Sequence, residues 1–139
     1  MSAQEAKAAK PRPRISPDNA PFWEACRRHE LMLPFCEDCG KPHLPPGPVC
    51  PHCFSDGIAW RKASGRGRIS TFVVVHKAWF PAFAGDIPYT VVQVELEEGP
   101  RLTADVVDAP DRNVAVGQEV EVLFDDIDQQ LTLPRFRRI

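Results

Sequence analysis

The second half of the chain is organised by a period of two. Val92, Val94 and Leu96 alternate with Gln93, Glu95 and Glu97, and Leu102, Ala104 and Val106 alternate with Arg101, Thr103 and Asp105. Val120, Val122 and Phe124 alternate with Glu119 and Glu121. Such patterning predicts strands that present one face to a core and the other to water. Two more runs join them: Ile69 to His76, opened by Gly65-Arg66-Gly67, and Leu131 to Phe136. Glu97-Glu98-Gly99-Pro100 is a turn. About five short strands separated by turns predict a small closed barrel, and at this size an OB-fold is the most economical closure.

Before Lys62 the texture differs. Residues 19–31 read as a helix, with Asp18 or Asn19 available as a cap and Pro21 suited to the first turn. Phe22, Ala25, Cys26 and His29 recur at helical spacing, and Trp23 and Arg27 lie on an adjoining face. A short helix with two large aromatics has to dock, either on its own domain or on another protein. A small neighbouring module has little surface to cover those rings, so Phe22, Trp23 and Arg27 are candidate partner contacts. Residues 1–15 are rich in Ala, Lys, Arg and Pro and hold almost no large apolar side chain, too little to offset the entropy of ordering. The expected organisation is a flexible tail over 1–17, a helix and metal module over 18–61, and a barrel over 62–139. Lys7, Lys10, Arg12 and Arg14 of the tail read as solvated.

The metal module rests on Cys36-Glu37-Asp38-Cys39 and Cys50-Pro51-His52-Cys53, with ten residues between Cys39 and Cys50. Each C-x-x-C is a knuckle whose two-residue gap turns both sulfurs toward one point. Two knuckles make a tetrahedral thiolate cage, the geometry of structural Zn²⁺ sites. Thiolates are soft ligands that suit Zn or Fe and not Mg or Ca. Gly40 follows the first knuckle, where an unusual backbone angle is expected, and Pro45, Pro46 and Pro48 stiffen the link. A disulfide pair would suit a secreted chain with a signal peptide, and a redox C-x-x-C usually comes singly beside a βαβ unit. Fe fits the same spacing as Zn. Four protein thiolates leave no open coordination position, so the metal is expected to hold the fold and not do chemistry. His43 and His52 read as solvated loop histidines, with replacement of a cysteine ligand as the other reading.

Composition narrows the function. With 139 residues, hydrophobic side chains at 43% suffice for one domain or two small ones, and 15 prolines favour loops and short strands. A net charge of −2 argues against nucleic acid as the main partner, as does the acidity of Glu95, Glu97, Glu98, Asp105, Glu119, Glu121, Asp125, Asp126 and Asp128. A single-stranded nucleic-acid module remains the alternative class, since such barrels serve that role. No apolar run approaches the length of a bilayer span. Reduced, metal-bound cysteines imply a cytoplasmic location. Cys26 falls outside the spacing and reads as a small buried helix residue. An autonomous thioesterase or acyltransferase would have to rest on Cys26 or His76, and no catalytic grouping presents itself by spacing.

The chain resembles a bacterial and archaeal family, long labelled only as a domain of unknown function, that joins an N-terminal rubredoxin-like zinc ribbon to a C-terminal OB-fold. The matching stretches are Pro21-Phe22-Trp23, Cys36-x-x-Cys39, Pro45-Pro46-x-Pro48-x-Cys50-Pro51-x-Cys53, Gly65-x-Gly67, His76, Pro88-Tyr89, Glu98-Gly99-Pro100 and Pro134-x-Phe136, across residues 18–139. The resemblance implies a mostly β chain with structural Zn²⁺ on Cys36, Cys39, Cys50 and Cys53. It further implies an accessory, acyl-CoA-associated subunit of a thiolase-like enzyme, a thiolase or an aldolase such as those that shorten steroid side chains. In that family the ribbon and helix tend to serve the protein contact and the barrel tends to help enclose the CoA substrate.

Residues that would suit a CoA thioester are present. His76-Lys77-Ala78-Trp79-Phe80-Pro81-Ala82-Phe83-Ala84 joins two predicted strands and is too apolar for a loop unless something covers it. Trp79, Phe80 and Phe83 could stack on adenine, while Arg66, Arg68 or Lys77 could pair with phosphates. The bland reading of these aromatics is a barrel plug or a partner contact, and that of His76 a satisfied barrel-edge histidine. Arg135, Arg137 and Arg138 read either as phosphate contacts or as a solvated end.

Overall fold

The computed structural model describes residues 10–107 and 113–139. Its elements are helix α1 (Ala20–Arg27), strands β1 (Met32–Cys36), β2 (Ile58–Lys62) and β3 (Arg66–Val75), a 3-10 turn (Pro81–Phe83), then β4 (Tyr89–Leu96), β5 (Arg101–Asp105), β6 (Glu119–Asp126) and β7 (Thr132–Arg138). β1 and β2 form an antiparallel ribbon in register from Met32↔Lys62 to Cys36↔Ile58. The other five strands form one sheet in the order β5-β4-β3-β6-β7. A parallel bridge between Val106 and Phe136 joins its two outer strands and closes it. The chain is mostly β, with one short N-terminal helix, a cysteine-rich ribbon and a five-stranded OB-type barrel.

The period-two reading of the barrel carries into three dimensions. Val92, Val94 and Leu96 point inward and are fully buried or nearly so, and they meet Ile69, Val120 and Phe136 in one core. Burying such side chains is worth roughly 1.5–3 kcal/mol each, which fixes the register, because a one-residue slip would turn the apolar set outward. β3 runs along the whole barrel. It pairs with β4 through most of its length and with β6 only through Arg66–Arg68. A register shift at Ser70 marks a bulge, where the Ser70 hydroxyl donates to the Gln93 carbonyl at 2.9 Å. Such a bulge bends a strand enough to serve two sheet neighbours. Gly67 makes the crossing possible, since a Cβ there would stand 2.4 Å from the Glu95 carbonyl oxygen.

Helix α1 is shorter than the expected 19–31 and ends at Arg27. His29 takes the left-handed region with φ 60°. The Glu30 N–H then donates to the Ala25 carbonyl and the His29 N–H to the Cys26 carbonyl, both at 2.9 Å. These two bonds are a Schellman stop, with histidine where glycine is usual. At the other end Asn19 stands at the cap position without capping. Its side chain accepts from the Ser16 N–H at 2.7 Å and donates to the Arg14 carbonyl at 3.1 Å.

The helix docks within its own chain, against β1 and the β6–β7 hairpin. Phe22 is 6% exposed inside the barrel's core cluster, with Trp23 set edge-on to it at 5.2 Å. Phe22, a candidate partner contact, is thus covered within its own chain. The barrel supplies the surface that the ribbon alone lacked. His29 secures the joint: its ring stacks on Phe124 at 5.4 Å, and its Nε2 lies 2.9 Å from an Asp126 carboxylate oxygen. Of the predicted tail, residues 1–9, including Lys7, lie outside the described residues. Lys10 and Arg12 are held on the barrel, Lys10 at 2.6 Å from Asp86 and Arg12 at 2.9 Å from Asp128.

Candidate functional site

The two cysteine knuckles are near copies of each other. In the first, the Gly40 N–H donates to the Cys36 carbonyl at 2.8 Å and the Cys36 N–H to the Lys41 carbonyl at 3.0 Å. In the second, the Phe54 N–H donates to the Cys50 carbonyl and the Cys50 N–H to the Ser55 carbonyl, both at 2.8 Å. Backbone amides also reach the sulfurs, Cys39 N–H to Cys36 Sγ at 3.5 Å and His52 N–H to Cys50 Sγ at 3.3 Å. Each turn needs a residue of positive φ four places after its first cysteine. Gly40 fills it with φ 75° in one knuckle and Phe54 with φ 63° in the other. The Ser55 hydroxyl donates to the Asp38 carboxylate and ties the two turns together.

This frame brings Cys36, Cys39, Cys50 and Cys53 together with their sulfurs all within 4.8 Å of one another. Cys36 and Cys53 Sγ are 3.5 Å apart, and Cys39 and Cys50 Sγ 3.7 Å apart. A tetrahedron with Zn–S bonds of about 2.3 Å has edges of about 3.8 Å, so the donor set and its spacing fit the ion. The electrostatics agree. The Cys39 backbone N–H holds the Cys36 thiol down to about 7. For Cys53 the Ser55 backbone N–H pulls down, but the Cys36 thiol, burial and the remaining sulfurs outweigh it and push Cys53 up to about 12. Four crowded sulfurs cannot all ionise by themselves, and a dication at their centre removes that conflict. The site is a rubredoxin-like zinc ribbon with four cysteines placed for one structural metal ion. Neither histidine joins the cluster. His52 is exposed, whereas His43, expected as solvated, is 4% exposed with neither ring nitrogen hydrogen-bonded among the described residues. Burial first, then the charge of His52, lowers the pKa of His43.

The residues singled out for a CoA thioester fall at different places. Arg66 and Arg68 open β3 beside Glu95, Glu97 and Glu119, and Arg68 pairs with Glu119 at 2.8 Å. Lys77, Trp79 and Phe80 follow the far end of the same strand, so ~23 Å of extended chain separates Arg68 from Val75 at ~3.3 Å per residue. There Trp79 is 68% exposed and carries the Lys77 ammonium at 4.3 Å over its ring, while Phe80 is 52% exposed. His76 is exposed at the end of β3. Phe83 packs on Tyr89 at 5.8 Å, with Lys10 at 5.3 Å over its face. The arginines of β7 split as well. Arg137 faces Glu121 across the strand pair at 2.7 Å, while Arg135 clasps Asp105 at 2.5 Å and Asp125 at 3.1 Å. Neither reading of Arg135 as phosphate contact or solvated end anticipated that triad, because the sequence does not reveal that β5 and β7 meet.

Cys26 is completely buried, and burial pushes its thiol up to about 12, although its backbone hydrogen bond lowers it. No helix among the described residues is long and apolar enough to cross a membrane.

Comparison with known proteins follows this layout. Residues 23–59 match the family described as ChsH2, rubredoxin-like zinc ribbon domain, and residues 60–125 the one described as ChsH2, C-terminal OB-fold domain. A probable enoyl-CoA hydratase alpha subunit of Thermomonospora curvata is 41% identical over 138 residues, 99% of this chain. This chain spans only 42% of that relative's length. A DUF35 domain-containing scaffold protein of Methanocaldococcus jannaschii is 36% identical over 70% of this chain and 69% of its own. Among solved structures, a chain of the Ltp2-ChsH2(DUF35) aldolase superposes with a TM-score of 0.83 at 38% identity, covering 91% of this chain and 98% of that one. On ribbon, barrel and sequence together, the chain belongs to the DUF35 family, whose members join a rubredoxin-like zinc ribbon to an OB-fold.

Proposed function

We propose that this protein is a non-catalytic, acyl-CoA-associated subunit of a thiolase-like enzyme complex, a thiolase or an aldolase acting on C–C bonds of CoA thioesters. The observation that carries the reading is at the ribbon tip. Phe54 is 79% exposed and sits in the left-handed region, where the matching position of the first knuckle has glycine. A bulky residue there costs about 1–2 kcal/mol of backbone strain, and its exposed ring gains little packing in the isolated chain. Backbone strain of this kind collects at functional positions. With Val49, 44% exposed nearby in the sequence, Phe54 gives the ribbon an apolar tip suited to a partner protein.

The chemistry of the cysteines supports a subunit without its own nucleophile. Four are placed to hold one metal ion, and the fifth is a buried thiol pushed up to about 12. Names among the relatives point the same way: alpha subunits of an enoyl-CoA hydratase and of a 3-oxo-4,17-pregnadiene-20-carboxyl-CoA hydratase, scaffold proteins, and an aldolase. The Lys77-Ala78-Trp79-Phe80 segment is the part of the barrel suited to CoA, offering exposed aromatic rings with a cation held over one of them.

The test is co-expression with a thiolase-like partner, followed by size-exclusion chromatography and partner activity on acyl-CoA. The two proteins migrate together, and Phe54→Gly weakens the complex at least tenfold by roughly the loss of one apolar anchor. The same substitution stabilises the isolated chain by about 1 kcal/mol because it relieves the left-handed strain. Separate migration with a partner fully active alone refutes the proposal.

A further inference from the structure

A second site lies at the mouth of the barrel, away from the ribbon. There the ends of β4, β5, β6 and β7 enclose a cleft of about 510 Å³, within the usual range for small-molecule sites. Its walls are largely apolar, from Phe83, Tyr89, Val107, Ile127 and Leu133. The Lys10-Pro11 segment borders it, held by the Lys10 contacts to Asp86 and Phe83.

One residue lining this cleft is out of keeping with the rest. Thr90 continues the inward row of Val92, Val94 and Leu96 and is 4% exposed. Its Oγ1 is buried and has no hydrogen-bond partner among the described residues. A buried unpaired hydroxyl is costly, and valine, of the same shape, would avoid the cost. The adjoining charges set the sign of what can enter. Arg135 is occupied on Asp105 and Asp125, and Lys10 on Asp86, so among the described residues lining the cleft three carboxylates face two cations and one negative charge remains. That excess repels an anion, and each of the three carboxylates already has Lys10 or Arg135 as its cationic partner.

We propose that the barrel mouth binds an uncharged, predominantly apolar molecule carrying one hydrogen-bonding oxygen, with that oxygen on Thr90 Oγ1 and the apolar part against Phe83, Tyr89 and Leu133. The site goes beyond the docking role above, and its test needs no partner protein. Full-length, zinc-loaded chain labelled with ¹⁵N is titrated with 1-octanol and, separately, with octanoate. 1-Octanol produces saturable amide shifts centred on Tyr89–Val91, Val106–Val107 and Leu133–Arg135. Octanoate binds at least ~10-fold more weakly, as expected for a charged group facing unbalanced carboxylates. Thr90→Val keeps the spectrum of the folded chain and loses about fivefold in affinity for 1-octanol, the worth of one hydrogen bond. Ile127→Trp, which adds bulk at an exposed rim position, removes the shifts. Absence of saturable shifts overturns the proposal. So does Thr90→Val binding 1-octanol as tightly as the native chain, which would leave the hydroxyl a packing defect or a water site. Equal binding of octanoate overturns it too.

Discussion

Replacing Phe22 with alanine tests whether the N-terminal helix belongs to the barrel or waits for another protein. The ring is 6% exposed, lies within the barrel core and meets Trp23 edge-on. A buried phenylalanine removes roughly 150–200 Å² from water, worth about 4–5 kcal/mol at ~25 cal/mol per Å², and that is an upper bound because real unfolded chains already bury some of it. Alanine keeps its own methyl group, while the hole left behind adds a cavity cost. A loss of about 3–4 kcal/mol results, in line with phenylalanine truncations in other cores. For a chain of this size that is a fall of ~10 °C or more in Tm. Urea unfolding of the zinc-loaded protein, followed by tryptophan fluorescence, measures it, because Trp23 reports on the helix and Trp60 on the ribbon. Phe54→Ala is the control, since an exposed ring should change stability by no more than ~0.5 kcal/mol. A loss below ~1 kcal/mol for Phe22→Ala would refute the docking described here and return the helix to the role of a free arm.

Cys36→Ser should abolish stoichiometric zinc by elemental analysis and unfold the ribbon, since metal affinity in such modules is folding energy, while far-ultraviolet circular dichroism still reports the barrel; retained zinc would refute the ligand set. Gly67→Ala should cost about 3 kcal/mol or prevent folding, because its Cβ would stand 2.4 Å from the Glu95 carbonyl, and denaturation showing a change under ~1 kcal/mol would mean that β3 and β4 do not approach as described. Asp126 is held below the ordinary carboxylate range by the Thr132 hydroxyl first and then His29, and Asp128 by Arg12 first. A depressed folded-state pKa contributes stability that is present above the unfolded value of about 3.9 and is lost as pH falls through the folded value. Asp126→Asn should therefore lower stability at neutral pH and flatten the loss below about pH 4, and an acid limb unchanged from the native chain would show that the carboxylate is not so engaged.

Much of this molecule is written locally. The alternation at Val92, Val94 and Leu96 already states which face of β4 is inside, because side chains on a strand point alternately and only one set can be buried. The two C-x-x-C pairs state the metal site, because a knuckle is a short-range object whose geometry needs nothing beyond a turn and its backbone hydrogen bonds. Residues whose meaning depends on distant chain were not legible. Phe22 looked exposed because its covering surface, the barrel, is built almost entirely more than 40 residues later in the sequence. The helix end at His29 was hidden as well, because its left-handed turn is secured by Phe124 and Asp126. Arg66, Arg68 and Lys77 looked like neighbours in sequence, yet an extended strand sets them at opposite ends of the barrel. The sequence alone determined the strands, their inward faces and the four sulfurs, since each is fixed by spacing within one element. Only the tertiary structure decided the closure through Val106 and Phe136, the clasp of Arg135 and the unpaired hydroxyl of Thr90, since these depend on which strand ends meet when a sheet closes on itself.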